Sequence, residues 1–240
     1  MKSINMNIEG ITHIGKVRKN NEDYFNYFLN KNDIDAFIGI SDGMGGLDLG
    51  EIASKESIEA VIKEIKKNKF INDDREEYFE LLKSINIKVH KNIYDISLNK
   101  GSQMGCTLTY GIIKNNKFYF CHIGDSRIYY LNKKKSIFGS SFNINQLTTD
   151  HNPEGSPSIL TKYIGSSEYF DPQIDCISLN EIDYLLFTTD GLHDLIDLND
   201  IKDIFNHNDD QVQINKKLVK KANENGGRDN ISLVSVKINA

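Results

Sequence analysis

The chain has 240 residues, of which 39% are hydrophobic and 26% are charged, so it can bury a sizeable core. A formal net charge of −5 and a pI near 5.7 argue against nucleic acid as the main partner. No apolar run approaches membrane-spanning length, and the first residues lack the apolar segment of a signal peptide. Three cysteines without metal-finger spacing favour a reduced, cytoplasmic protein.

Predicted strands and helices follow one another without an internal repeat or a proline-rich linker, so we expect one domain over residues 1–240. Helices are predicted over residues 49–67 and 75–97, where apolar side chains recur on one face, and over residues 211–223. Apolar runs of strand length occupy residues 36–40, 108–113, 118–121, 184–187 and 231–238.

The predicted strands are apolar on both faces, which is typical of strands that are covered on both sides. Two connections between them are short, at residues 114–117 and 124–126. Short connections predict that the strands they join are antiparallel neighbours. We therefore expect two packed antiparallel sheets flanked by layers of helices.

Four aspartates lie beside these apolar strands. Asp42 follows FIGIS, Asp125 follows FYFCHIG, Asp190 follows YLLFTT, and Asp229 precedes ISLVSV. Each of them alone is explained as well by a turn. Four carboxylates at converging strand ends would repel one another, and a hard divalent cation such as Mg²⁺ or Mn²⁺ removes that cost.

A site that handles phosphate also needs a basic group. The segment GKVRKNNED (15–23) offers Arg18, whose guanidinium can hold a phosphate through two parallel hydrogen bonds. The same segment also reads as a solvated, charged turn. The segment DGMGG (42–46) also has two interpretations, because its glycines suit either a loop that surrounds a phosphate or a backbone that approaches a metal.

Seven segments, in this order, resemble the metal-dependent protein Ser/Thr phosphatases (the PPM or protein phosphatase 2C family) in their compact bacterial form. The matching residues are Arg18 with Asn21-Glu22-Asp23; Asp42-Gly43-Met44-Gly45-Gly46; Met104-Gly105-Cys106-Thr107-Leu108; Gly124-Asp125-Ser126-Arg127; Leu147-Thr148-Thr149-Asp150-His151; Thr189-Asp190-Gly191-Leu192; and Gly227-Arg228-Asp229-Asn230. Each segment is weak alone, but seven in register are specific. The resemblance implies an α+β fold, a four-layer α-β-β-α sandwich with helix pairs outside two antiparallel sheets.

The resemblance also implies a centre of two Mn²⁺ or Mg²⁺ ions, with a weaker third ion in bacterial members. Its metal ligands would be Asp42, which bridges two ions, the carbonyl of Gly43, Asp125, Asp190 and Asp229. The residues behind these ligands would be Glu22, Asp23 and Asn230. Arg18 would bind the phosphate, and a metal-activated water would attack phosphorus. On this interpretation, the segment DGMGG binds metal ions through Asp42 and the Gly43 carbonyl.

The implied activity is hydrolysis of phosphoserine and phosphothreonine on proteins. The expected partners are phosphorylated proteins and, through them, a cognate Ser/Thr kinase pathway. We expect a monomer that binds neither nucleic acid nor a membrane.

Two features depart from the family. Met44 stands where eukaryotic relatives have a histidine that is a proposed general acid, so the proton donor to the leaving group stays open. The family also has a flap between its Thr-Asp-His and Leu-Thr-Arg segments. Here only residues 152–159 separate His151 from Leu160, so we expect the flap between 151 and 160 to be reduced to a stub.

Three alternatives stay open. The chain could be a catalytically weak regulatory or binding module, or a metal-dependent phosphatase of a small metabolite. A remoter alternative is a cysteine-dependent phosphatase, since CHIGDSR (121–127) has the Cys-x5-Arg spacing. Against it, Arg127 leads into a strand-like segment instead of a helix, and Asp125 inside the loop would repel phosphate. Cys121 then reads as an inert core thiol.

Overall fold

The computed structural model describes residues 5–31, 33–44, 49–68, 74–136, 139–153, 155, 159–208 and 210–239. Gly45 and Gly46, and residues 154 and 156–158 of the stub, lie outside the described residues. The strands are β1 (Asn5–His13), β2 (Asp23–Lys31), β3 (Ile34–Asp42), β4 (Leu108–Lys114), β5 (Lys117–Ile123), β6 (Arg127–Ser136), β7 (Gly139–Gln146), β8 (Gln173–Ser178), β9 (Tyr184–Thr188) and β10 (Ile231–Asn239). The helices are α1 (Gly50–Lys67), α2 (Arg75–Lys100), α3 (Asp190–His193), α4 (Leu198–Asn206) and α5 (Gln211–Glu224).

The strands form two five-stranded sheets in which every neighbouring pair is antiparallel. Sheet 1 has the order β1-β10-β9-β6-β7, and sheet 2 has the order β2-β3-β4-β5-β8. None of the described helices is both long and apolar enough to cross a lipid bilayer.

Three apolar layers hold the sheets and helices together. Phe37 on β3 packs with α1 and α2 outside sheet 2, whereas its neighbour Ile38 points into the layer between the sheets. Leu186 on β9 packs with α4 and α5 outside sheet 1, and Phe187 points inward. Successive strand residues thus bury opposite faces, which explains the uninterrupted apolar runs.

The four-layer sandwich predicted from the sequence is therefore confirmed, with one correction on the helices. α1 and α2 form the expected pair outside sheet 2. Three helices, α3, α4 and α5, lie outside sheet 1 in place of a second pair. α4 is only nine residues long, and the sequence analysis did not identify it.

The prediction from the two short connections is half right. β4 and β5 form the expected hairpin, with Lys114 opposite Lys117. The prediction that β5 and β6 are antiparallel neighbours is wrong, because they lie in different sheets. Gly124 has a φ of +110°, and a Cβ there would lie 2.6 Å from the Cβ of Thr107. This glycine lets the chain cross from sheet 2 to sheet 1 in three residues.

The register of both sheets gathers the four predicted acids at one end of the sandwich. In sheet 1, Thr188 at the end of β9 pairs with Leu233 near the start of β10 and with Arg127 at the start of β6. In sheet 2, Ile123 at the end of β5 pairs with Leu108 at the start of β4. Asp42 ends β3 on the same side, where its carbonyl accepts from the amide of Thr107.

Candidate active site

A cavity of about 570 Å³ opens at this end of the sandwich, and we call it the acidic pocket. It is lined by Arg18, Asp42, Gly43, Met44, Thr107, Asp125, Leu160, Asp190, Gly191, Asp194, Leu195, Arg228 and Asp229. The predicted phosphate-binding arginine and all five predicted metal ligands are among these residues. The three residues predicted to lie behind the ligands, Glu22, Asp23 and Asn230, are not part of the lining.

Asp42 is fixed by its main chain, which leaves its carboxylate to face the pocket. Its amide donates to the hydroxyl of Thr107 at 2.8 Å, and its carbonyl accepts from the Thr107 amide at 2.8 Å. The next residue, Gly43, donates to the carbonyl of Glu22 at 3.0 Å. A Cβ on Gly43 would lie 2.3 Å from the carbonyl oxygen of Gly50, so only glycine fits here.

Buried negative charge dominates the floor of the pocket. Burial, reinforced by repulsion from Asp23 and Asp190, raises the pKa of Asp42 well above its usual range. Burial, with repulsion from Asp125 and Asp229, raises the pKa of Asp190 as well. The two carboxyls of Asp42 and Asp190 are close enough to share a hydrogen bond. Among the described residues, no group donates to Oδ1 of Asp190 or to Oδ1 of Asp23.

Asp229 and Arg18 form an ion pair at the mouth of the pocket. Nη2 of Arg18 lies 2.8 Å from Oδ2 of Asp229, and both side chains are partly exposed. The other oxygen of Asp229 accepts from the amide of Asn230 at 2.8 Å. The Asn230 side chain accepts from the Glu22 amide at 2.8 Å and donates to the carbonyls of Ile14 and Asn20. Asn230 therefore ties the segment that carries Arg18 and Glu22 to the start of β10.

Asp23 lies directly behind Asp42, its partner in the register of β2 and β3. It is 8% exposed, and its Oδ2 accepts from the hydroxyl of Thr189 at 2.9 Å. The same hydroxyl accepts from the amide of Ser232 at 3.1 Å. Asp23 thus connects the end of β9 to the acid cluster without reaching the pocket.

Asp125 is held at the crossing between the sheets by a residue that the sequence analysis did not single out. Asn152, the first residue of the stub, donates to Oδ2 of Asp125 at 3.1 Å. Nδ1 of His151 accepts from the Gly124 amide at 3.0 Å, and the His151 amide donates to the Gly124 carbonyl at 2.9 Å. Burial, reinforced by the positive charge of Lys162, lowers the pKa of His151 to about 4, so its ring acts as a neutral acceptor.

The structure contradicts the cysteine-dependent alternative. Cys121 lies within β5 and is fully buried, and burial raises the pKa of its thiol to about 12. Arg127 lies on β6, where Nε and Nη2 make a bidentate pair with the carboxylate of Asp150 at 2.6–3.0 Å. A buried thiol and a committed arginine cannot form a phosphate-binding loop.

The donor set of the acidic pocket fits a hard divalent cation. Several carboxylates converge with too little positive charge to balance them, and buried carboxylate oxygens lack donors among the described residues. No three histidine, cysteine or acidic side chains in the described parts of the chain already surround a common point as metal ligands. In the structure, Asp229 is paired with Arg18.

Other residues of the site carried weak signals or none in the sequence. Thr107 and Arg228 lie inside two of the matching segments, but nothing in their pattern indicated that they line the pocket. The remaining lining residues that the sequence analysis did not assign are Leu160, Gly191, Asp194 and Leu195.

Comparison with known proteins agrees with this geometry. The sequence profile described as Protein phosphatase 2C matches residues 10–232, which is most of the chain. The chain belongs to the protein phosphatase 2C family. This family is metal-dependent, generally with Mn²⁺ or Mg²⁺.

Individual relatives match over almost their whole length. Protein phosphatase PhpP of Streptococcus pneumoniae is 32% identical over 246 residues, with 98% of each chain covered. Serine/threonine phosphatase stp of Listeria welshimeri is 26% identical and covers 98% of this chain and 96% of its own. The structure of the S. agalactiae serine/threonine phosphatase superimposes with a TM-score of 0.86 at 26% identity, covering 98% of this chain and 100% of that one.

Proposed function

We propose that this protein hydrolyses phosphoserine and phosphothreonine monoesters on other proteins. The observation that carries the proposal is the convergence of Asp42, Asp190 and Asp229 with Arg18 in one solvent-open pocket. Membership of the protein phosphatase 2C family and the names of its relatives support the same activity. A Ser/Thr kinase must then supply the phosphorylated substrate.

The proposed metal ligands are Asp42, the carbonyl of Gly43, Asp125, Asp190 and Asp229. Two Mn²⁺ or Mg²⁺ ions, and a third at Asp125 and Asp190, would supply an activated water and positive charge beside the phosphoryl oxygens. The protein itself positions these carboxylates. The hydroxyl of Thr107 accepts a hydrogen bond from the Asp42 amide, and the side chain of Asn152 donates one to Asp125. Glu22, Asp23 and Asn230 fix the strand ends from behind.

Arg18 is the proposed phosphate-binding residue. In the structure its guanidinium is engaged by Asp229, a proposed metal ligand. A cation that takes over the charge of Asp229 leaves the guanidinium free for the phosphoryl oxygens. Met44 lines the pocket at the position of the eukaryotic histidine and carries no proton that it could transfer.

The proposal is tested with wild-type protein in Mn²⁺ on matched substrates. These are phosphothreonine and phosphoserine peptides, the corresponding phosphotyrosine peptide, and a set of phosphorylated sugars and nucleotides. We expect the highest kcat/KM on the phosphothreonine and phosphoserine peptides. A higher kcat/KM on any of the metabolites would move the assignment to a small-molecule phosphatase. Metal binding without turnover of any substrate would indicate a regulatory module.

Replacing Arg18 by alanine should raise KM for a phosphothreonine peptide more than it lowers kcat. The reason is that a guanidinium that holds the phosphate before and during the reaction contributes to both states alike. Inhibition by inorganic phosphate should weaken in parallel. Arg18→Lys, which keeps the charge but loses the bidentate geometry, should fall between alanine and wild type. If KM and phosphate inhibition both stay at wild-type values in Arg18→Ala, the residue is only a charged turn residue.

The stub, residues 152–159, should leave the pocket with little selectivity for peptide sequence. Its ends are pinned together, because the amide and hydroxyl of Thr161 both donate to the His151 carbonyl at 2.8 Å. A loop of this length contributes few contacts beyond the phosphate. We expect kcat/KM to vary within about tenfold across a panel of phosphopeptides. A preference beyond a hundredfold that disappears on mutating residues 152–158 would show that the stub still selects substrates.

A further inference from the structure

Arg228 lies on a rigid turn at the rim of the acidic pocket. Gly226 and Gly227, with φ of +128° and +56°, turn the chain from α5 towards β10. The amides of both glycines donate to carbonyls at the end of α5, and the Gly227 carbonyl accepts from the Lys16 amide at 2.6 Å. The Asn225 side chain adds a bond to the Leu195 carbonyl at 2.7 Å. Hydrogen bonds to the end of α5, to Lys16 and to Leu195 therefore fix the backbone that precedes Arg228.

The side chain on this turn is exposed, in contrast to its backbone. Arg228 lines the pocket but forms no ion pair with any residue that the structure describes, whereas Arg18 and Arg127 each have a carboxylate partner. Its charge acts on Asp194, which lines the same pocket. A fixed backbone with an uncommitted guanidinium suits recognition of an anion from solution, since little order has to be gained on binding.

The charges that line the pocket make Arg228 important for binding an anion. Among the residues that the structure describes, five aspartates and two arginines line the pocket, which gives this described lining a formal charge of −3. Arg228 is thus one of two basic side chains in the described lining. With cations on the aspartates and Arg18 on the phosphoryl group, Arg228 is the basic side chain of the described lining that is left for a second negative group on the peptide.

We infer that Arg228 forms a second anion subsite that binds a carboxylate or a second phosphate on the same substrate chain, close to the phosphoresidue. The inference rests on the proposed protein phosphatase function and adds a substrate preference to it. A cavity of about 570 Å³ is roughly 8 Å across, or about two to three residues of extended peptide. The second anion is therefore expected within three residues of the phosphothreonine.

The test compares phosphothreonine peptides that carry glutamate or glutamine at one position, for every position within three residues of the phosphothreonine. In wild type with Mn²⁺, glutamate at one or more positions should raise kcat/KM about threefold to fivefold over glutamine, the scale of an exposed charge pair. A phosphoserine at the same position should give a larger gain, of about tenfold, because phosphate carries more charge and pairs bidentately with arginine. Comparison of the two peptides separates an acidic sequence from double phosphorylation as the preferred source of the anion.

Arg228→Gln should bring the glutamate-to-glutamine ratio close to one at the responsive position. Arg228→Glu should reverse it and favour a lysine-containing peptide. Arg75→Gln is the matched control, because Arg75 is an exposed arginine that pairs with Asp175 and does not line the pocket; its ratio should equal that of wild type. The ratio is internal to each variant, so changes in overall turnover do not affect it.

Two results overturn the inference. One is a wild-type ratio near one at every position, and the other is a ratio that persists in Arg228→Gln and in Arg228→Glu. Either result leaves the proposed function intact as long as the peptides are hydrolysed. Absence of hydrolysis of all phosphopeptides would instead count against the proposed function.

Discussion

Hydrolysis of a phosphothreonine peptide is expected to fall by at least about a hundredfold in EDTA and to return when Mn²⁺ or Mg²⁺ is added back. The reason lies in the formal charge of −3 on the described lining of the acidic pocket, which repels a phosphate dianion until cations reverse the sign of that charge. Chelation removes both this attraction and the activated water. The measurement is kcat/KM in EDTA, in excess Mn²⁺ and in excess Mg²⁺.

Thermal unfolding gives a readout of the same event that does not depend on turnover. Cations that bind the folded acid cluster should raise Tm by about 5–10 °C at roughly a hundred times their Kd. Cys121→Ser is the control, because Cys121 lies in the core of β5 and should affect neither the activity nor its metal dependence by much. Full activity in EDTA, with loss of activity in Cys121→Ser, would restore the cysteine-dependent mechanism.

The layers of this fold could be predicted because the strongest signal in the sequence is local. Residues 36–40 and 184–187 are apolar without alternation, and the structure places each in the middle of a sheet with side chains in two different cores. The stripe of α1 at Ile58, Val61 and Ile65 is likewise buried. The sequence does not predict the crossing at Gly124, because a three-residue link has the length of a hairpin, and only the strand order of the two sheets shows that the chain changes sheets there.

The sequence predicts which acidic residues lie together in the site, but not all of their pairings. Each of Asp42, Asp125, Asp190 and Asp229 adjoins an apolar strand, and the antiparallel register of the two sheets brings those strand ends to one end of the sandwich. The pairing of Arg18 with Asp229 was not predictable, because the two residues are 211 positions apart and belong to different matching segments. Contacts of this kind depend on how loops pack, and no periodicity in the sequence reports on them.

Asp42→Asn should lower kcat by about a thousandfold at saturating metal, with little change in fold. Asp42 is the proposed bridging ligand, so the loss of its charge weakens the hold on both ions at once. The fold should survive because Asp42 is anchored by its main chain to Thr107, and an asparagine keeps those two hydrogen bonds. In EDTA the variant should have a higher Tm than wild type, since one buried carboxylate is removed from a mutually repelling group.

Asp175→Asn is a matched control, because Asp175 is an exposed strand aspartate on β8 that pairs with Arg75 and does not line the acidic pocket. It should keep wild-type kcat and the wild-type rise in Tm on addition of Mn²⁺. Asp42→Asn should lose most of that rise, which separates a failed metal site from a misfolded chain. A kcat within tenfold of wild type at saturating metal would exclude the bridging role of Asp42. An unchanged kcat together with an unchanged rise in Tm would exclude Asp42 as a metal ligand altogether and leave it as a turn residue at the end of β3.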